Sequence, residues 1–298
     1  MPHYRVGLNP LPWVLTPHGF DLSVPVLEGA FTEVATTPFK GIHADIPAGQ
    51  TPEQYRELLE RFGLVPAPGY FSAAFHEEDR ATVAEAAKRH AAGQAALGLT
   101  EVFIAANLPD ARRATPAVGA HPDADALQRT IDGLGAAAEA ITAEGVRPAL
   151  HPHVGSLIEV ESEIEAVLAA VPDAVLGFGP DTGHLAWAGM DPAAVMGRHA
   201  DRIAAMHLKD VHLDQAAQAK QAGADYDAAT RGPFTTFTEP GRGDVDLLAA
   251  VATLPDAFGG WIIVEVDVPE APTNLESTRI SGAWVTEHLG ADVFGGAR

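Results

Sequence analysis

Eight short apolar runs, separated by stretches with helical spacing, recur from one end of the chain to the other. The runs lie at 4–8, 41–45, 64–66 continuing towards 70, 102–106, 148–151, 175–179, 203–208 and 261–266. Between them 51–62, 78–97, 122–144, 162–170, 192–199 and 245–252 read as helices, and 275–289 closes the chain with another. Local signals agree. Thr51-Pro52-Glu53 is an N-cap followed by proline at the first helical position, Asp191 caps the helix after it, and Gly63, Gly98 and Gly145 stand where helices stop. Strands alternating with helices imply parallel βαβ units, and eight of them predict an α/β fold, a (β/α)8 TIM barrel of eight parallel strands. A doubly wound sheet would carry a Gly-rich phosphate loop after an early strand, and GLNPLP at 7–12 is not one. No composition shift marks a boundary, so 1–298 reads as one domain. The break in the pattern is 211–243, polar and rich in Gln, Ala and Asp, expected as a long loop insertion that covers the barrel mouth as a mobile lid.

Charge and cysteine content narrow the chemistry. Asp and Glu number 40 against 19 Lys and Arg, a formal net charge of -21. Such a surface repels phosphate backbones and anionic headgroups, so neither nucleic acid nor membrane is expected as a partner. With 0 cysteines, disulfides, thiolate nucleophiles and Cys-ligated zinc or iron–sulfur sites are excluded. No apolar run approaches the ~20 residues of a membrane span, and the N-terminus lacks the layout of a secretion signal. A cytoplasmic location is the expectation.

In a barrel the C-terminal strand ends carry the chemistry. Here the last four apolar runs end in His151-Pro152-His153, Asp181-Thr182-Gly183-His184, His207-Leu208-Lys209-Asp210 and Glu265-Val266-Asp267. A carboxylate or imidazole at the end of a buried strand is costly unless paired or bound to a metal. Alternate residues of a strand share a face, which groups His151 with His153, His207 with Lys209, and Glu265 with Asp267. If His151, Asp181, His207 and Glu265 all point into the mouth, they form a ligand set of two nitrogens and two oxygens. Imidazole with carboxylate suits one divalent ion: Mn2+ first, then Co2+, Fe2+, Ni2+ or Zn2+, with Mg2+ also admitted. The other histidines read differently. His43 and His76 are expected on loops or the rim, His90 and His199 on helix surfaces, and His288 in solvent.

At these residues the sequence resembles the xylose-isomerase-like barrel superfamily of sugar isomerases, epimerases and dehydratases, and above all inosose dehydratases and 3-keto-glycoside or C-glycoside lyases. The matching pieces are GLNPLPW at 7–13, HPHVGSLIE at 151–159, DTGHLAWAGMDP at 181–192, HLKDV at 207–211, FTEPGRGDVD at 237–246 and GWIIVEVD at 260–267. The resemblance implies metal ligands at the ends of strands five to eight, in the pattern Glu, Asp, His, Glu. Asp181, His207 and Glu265 match it, whereas His151 stands where isomerases and epimerases have the first Glu. Glu159 lies too far along to replace it.

That departure bears on mechanism. A proton-shuttling epimerase of this kind uses two metal-bound carboxylates, one on each side of a carbon. A β-elimination needs one base for the proton α to a carbonyl and an acid for the departing oxygen. The expectation is therefore a divalent-metal-dependent lyase or dehydratase acting on a small keto-cyclitol or keto-sugar. His153 is the expected base, α to a metal-bound ketone, with Glu265 and Lys209 also in the catalytic set. Lys209 and His184 are candidates for protonating the leaving group or binding hydroxyls, and Asn9 and Trp13 for binding the ring. A ketose isomerase or 3-epimerase is the alternative, and a barrel subunit of a heteromeric C-glycoside-cleaving enzyme is another. A homo-oligomer or hetero-oligomer is compatible with the sequence.

Overall fold

The computed structural model describes residues 4–16 and 19–295. Among them eight parallel strands close a ring: β1 (Arg5–Leu8), β2 (Gly41–His43), β3 (Val65–Ala67 resuming as Tyr70–Ala73), β4 (Glu101–Ala106), β5 (Arg147–Leu150), β6 (Gly177–Phe178), β7 (Ala205–Leu208) and β8 (Trp261–Val264). β1 pairs with β2 and β8, β2 with β3, β3 with β4, β4 with β5, β5 with β6, and β7 with β8. Parallel bridges Phe178–Ile203 and Asp181–His207 complete the circle between β6 and β7. The expected (β/α)8 barrel is the fold observed.

β3 is interrupted at Pro68 and Gly69. The Gln94 side chain repairs the gap, accepting from Gly69 N–H at 3.0 Å and donating to the Ala44 carbonyl at 3.1 Å. Such repair is required, since a buried backbone group without a partner is costly. β6 is only two residues long. Arg202 ties it to the preceding helix, its guanidinium donating to the Leu176 carbonyl just before the strand and to the Leu168 and Val171 carbonyls at the helix end.

Two apolar layers result. Leu, Ile, Val and Phe side chains fill the space between strands and helices, and a smaller cluster of Ala67, Phe103, Ala149, Ala204, Ala205, Trp261 and Ile263 fills the barrel. The inner cluster works by pairing large with small. Trp261 is 2% exposed, and a Cβ on Gly41 would run into its ring.

The segment 211–243 is not the open loop the sequence suggested. It folds into helices Leu213–Gln221 and Tyr226–Arg231, followed by a strand Phe237–Thr238 that pairs antiparallel with Asp210–Val211. The Ala and Gln that looked like loop composition are good helix formers, and Asp225 caps the second helix through the Ala228 N–H. Val211, Ala216, Ala219, Tyr226, Ala229 and Phe237 bury together against Val154 and Trp187. Asp210 then pins the return strand. Its buried carboxylate accepts from the backbone N–H groups of Val211, Gly241, Gly243 and Val245. Among the described residues no helix is long and apolar enough to cross a membrane.

Candidate metal centre and active site

The polar residues at the last four strand ends converge. His151 continues the β5 ladder, its N–H bonded to the Ile104 carbonyl at 2.8 Å, and Glu265 continues β8 through the Leu208 carbonyl at 3.1 Å. Asp181 caps the helix Thr182–Trp187 with one oxygen, Oδ1, which accepts from His184 N–H at 2.8 Å. Its other oxygen, Oδ2, is buried with no hydrogen-bond partner among the described residues, and so are His151 Nδ1 and both ring nitrogens of His207. His151, Asp181 and His207 each offer a ligand atom within 4.8 Å of one another. Glu265 borders this set, its Oε2 3.4 Å from His207 Nδ1, and its own group within the same limit is with Asp181 and His184.

Orphaned buried donors and acceptors would cost a few kcal/mol each unless something satisfies them. Neighbouring imidazoles and carboxylates of this kind suit a divalent cation. Burial, reinforced by His207, pushes the His151 pKa well below its ordinary value, so the ring is neutral, the form a ligand needs. Burial pushes the Glu265 carboxyl up, but Lys209, His207 and His151 overcome it and hold the group well below the usual carboxylate range.

A cavity of about 780 Å³ opens onto this cluster. Asn9, His43, Asp45, Tyr70, His151, His153, Glu265 and Asp267 form its polar side. Leu11, Val14, Leu15, Phe20 and Leu22 form an apolar side, and Arg113, Tyr226, Asp227 and Arg231 lie at the insertion. The helix Tyr226–Arg231 is tied across the opening. Arg113 pairs with Asp227 at 2.5 Å, and Arg231 donates to the Thr16 carbonyl at 3.3 Å.

The sequence model of the xylose isomerase-like TIM barrel family matches residues 31–287. The chain belongs to this family. An inosose dehydratase of Geobacillus kaustophilus (strain HTA426) is 27% identical over 288 residues, covering 89% of this chain and 87% of that one. Two solved structures share the fold. The IOLI protein with a binding zinc atom has TM-score 0.67 and 15% identity, over 98% of this chain and 100% of that one. The D-allulose 3-epimerase of Methylomonas sp. has TM-score 0.68 and 15% identity, over 97% of this chain and 99% of that one. This xylose isomerase-like barrel is thus an enzyme of the lyase or isomerase/epimerase kind.

Within this member of the family the expected site residues separate into those at the cavity and those behind it. His153 lines the cavity. Its Nδ1 donates to the Val154 carbonyl at 2.7 Å, and its ring lies 3.8 Å from that of His184. Asn9 also lines the cavity and donates to Glu265 Oε2 at 2.5 Å.

Three expectations are corrected. Trp13 is turned away, because the helical turn Leu11–Val14 aims Leu11 and Val14 at the cavity and Trp13 at the next helix, where its Nε1 donates to Glu33 at 3.2 Å. His184 is 1% exposed and off the cavity lining; it accepts from Val154 N–H and stands 3.2 Å from Lys209 Nζ. Lys209 is 0% exposed and off the lining too, held 2.5 Å from Glu265, 2.8 Å from Asp267 and 3.5 Å from Asp181. Both are buried behind the lining, and His184 offers a ring nitrogen within 4.8 Å of carboxylate oxygens of Asp181 and Glu265. Glu159 is fully occupied elsewhere, accepting from Ala117, Gly119 and Gly155 N–H groups and from Arg112.

Among the remaining histidines, His43 departs most from expectation. It is not on the rim but 2% exposed at the end of β2, facing the cavity with its Nδ1 3.3 Å from Asp45. His90 is half-buried against Phe71 rather than on the surface, and His199 is half-buried beside Phe178 and paired with Glu165 at 2.9 Å. His76 stands in the turn after β3 beside Glu77, and His288 is exposed. Sequence reasoning passed over Tyr70, Arg113, Tyr226 and Asp267. Asp267 carried a signal in its i+2 spacing from Glu265, and Tyr226 in being the one tyrosine of a polar insertion.

Proposed function

We propose that the chain is a divalent-metal-dependent dehydratase of a small, uncharged keto-cyclitol or keto-sugar, with His153 as the base that removes the proton α to the ketone. The observation that carries this reading is the hydrogen bond from His153 to the Val154 carbonyl. A carbonyl can only accept, so Nδ1 bears the proton and Nε2 keeps a free lone pair. Burial first, and the charge of Lys209 second, push the His153 pKa down to about 4, so the ring is neutral at physiological pH.

His151, Asp181, His207 and Glu265 would hold the metal, for which manganese is the first choice. When bound there, a divalent ion supplies the Lewis acidity that makes the α proton of a ketone removable by a weak base. Asn9 holds Glu265 and Lys209 screens it from Asp181 and Asp267, so the set keeps its orientation. With His151 in the first ligand position, the carboxylate pair of a proton-shuttling epimerase is absent among these four residues. One base at one face supports elimination over epimerisation. The cavity lining holds the carboxylates of Asp45, Asp227, Glu265 and Asp267 against two guanidinium groups, Arg113 paired with Asp227 and Arg231 bonded to the Thr16 carbonyl. That electrostatic balance disfavours phosphate-bearing substrates. The relative named inosose dehydratase supports a keto-cyclitol.

Manganese-loaded protein given 2-keto-myo-inositol should release a product one water lighter, read by mass spectrometry. Recovery of an isomer of the substrate in its place would overturn the dehydratase reading in favour of an isomerase or epimerase.

A further inference from the structure

Water loss needs an acid as well as a base, and the two residues that the sequence offered for that role, Lys209 and His184, do not line the cavity. We propose that Tyr226, carried in by the insertion after β7, is the catalytic acid that protonates the departing hydroxyl; this rests on the dehydratase reading above. Tyr226 lines the cavity and is otherwise buried, 8% exposed. Its ring is stacked on Trp187 at 5.5 Å, with the Arg113 guanidinium 5.9 Å from its centre. The same ring stands 5.8 Å from that of His153, so the phenol and the base border one space. Tyr70, the other phenol of the cavity, stands instead beside His151, 5.3 Å ring to ring. No hydrogen bond engages the Tyr226 hydroxyl among the described residues. Burial, then the carboxylate of Asp267, raise its pKa against the opposing charge of Lys209, so it keeps its proton at neutral pH.

The step balances as follows. His153 takes the proton from the α carbon, leaving the C–H electron pair in an enolate that can be reprotonated; that pair then becomes the new C=C bond to the β carbon. The β C–O bond breaks with its pair on oxygen, which takes the phenolic proton and leaves as water. The phenolate is reprotonated as His153 gives its proton back through solvent. Nothing is oxidised or reduced.

Tyr226→Phe keeps the ring on Trp187 and removes only the hydroxyl. On the hydroxyl substrate it should lower kcat by about 10²–10⁴-fold with little change in KM. It should still exchange the α proton in D2O, because His153 is intact. A substrate bearing fluoride in place of the departing hydroxyl needs no proton on its leaving group, so the variant should eliminate it at close to the wild-type rate. An equal loss on both substrates, or no loss on either, overturns the assignment of Tyr226 alone. A wild type that neither exchanges the α proton nor loses water overturns the dehydratase reading and the acid with it.

Discussion

The fully buried Lys209 ammonium lies 2.5 Å from the carboxylate of Glu265, which borders the cavity. Two further carboxylates, Asp267 and Asp181, crowd the same cation. Burial alone would drive a lysine towards neutrality, but Asp181, Asp267 and Glu265 together carry its pKa well above the ordinary value. The pair is therefore ionised, and each charge is tolerable only because of the other.

Lys209→Met removes the only cation in contact with those three carboxylates among the described residues. Breaking a buried ion pair from one side typically costs about 3–5 kcal/mol. Urea unfolding of metal-free protein should show a loss of that order, and added manganese should recover part of it by supplying positive charge to Glu265 and Asp181. Stability unchanged by the substitution would mean that the carboxylates are not held ionised together.

Removal of a ligand should act on metal and activity together. His151→Ala and Glu265→Gln should each weaken manganese binding by more than the tenfold to hundredfold typical of outer supporting residues. Calorimetric titration would measure this, and dialysis against a chelator should abolish turnover until about one equivalent of metal per chain is restored. Full activity in metal-free protein would contradict the assignment.

His153→Ala should retain metal while losing about 10²–10⁴-fold in kcat. It should also stop exchanging the substrate's α proton with D2O, unlike Tyr226→Phe. The pH dependence follows from the sign of its shift. A base must be unprotonated, and its pKa is pushed down to about 4, so log kcat/KM should fall only as the pH drops towards that value. An acid limb at the ordinary imidazole position near 6.5 would place the essential base elsewhere.

Gly41→Ala tests the barrel interior. The added methyl collides with the Trp261 ring, and a fully buried tryptophan has little room to yield. Overpacking of this kind typically costs about 1–3 kcal/mol, measurable as a lower urea midpoint with an unchanged slope.

Much of this was legible in the sequence because it depends on short-range pattern. Apolar runs of strand length, spaced by helices with their own caps and stops, specify βαβ units, and eight of them close a ring. Strand-end positions were equally readable: His151, Asp181, His207 and Glu265 follow directly from where apolar runs stop. Packing decided what no spacing could. One helical turn after β1 rotated Trp13 out of the cavity, whereas His43, two residues into a weak strand, was rotated in. Lys209 reads as an exposed catalytic amine until three carboxylates from two other strands are seen to enclose it. The insertion reads as a loop until its alanines and Tyr226 find Val154, Trp187 and Phe237 to bury against. In each case the outcome rests on desolvation by residues distant in sequence, which the chain's own neighbours do not encode.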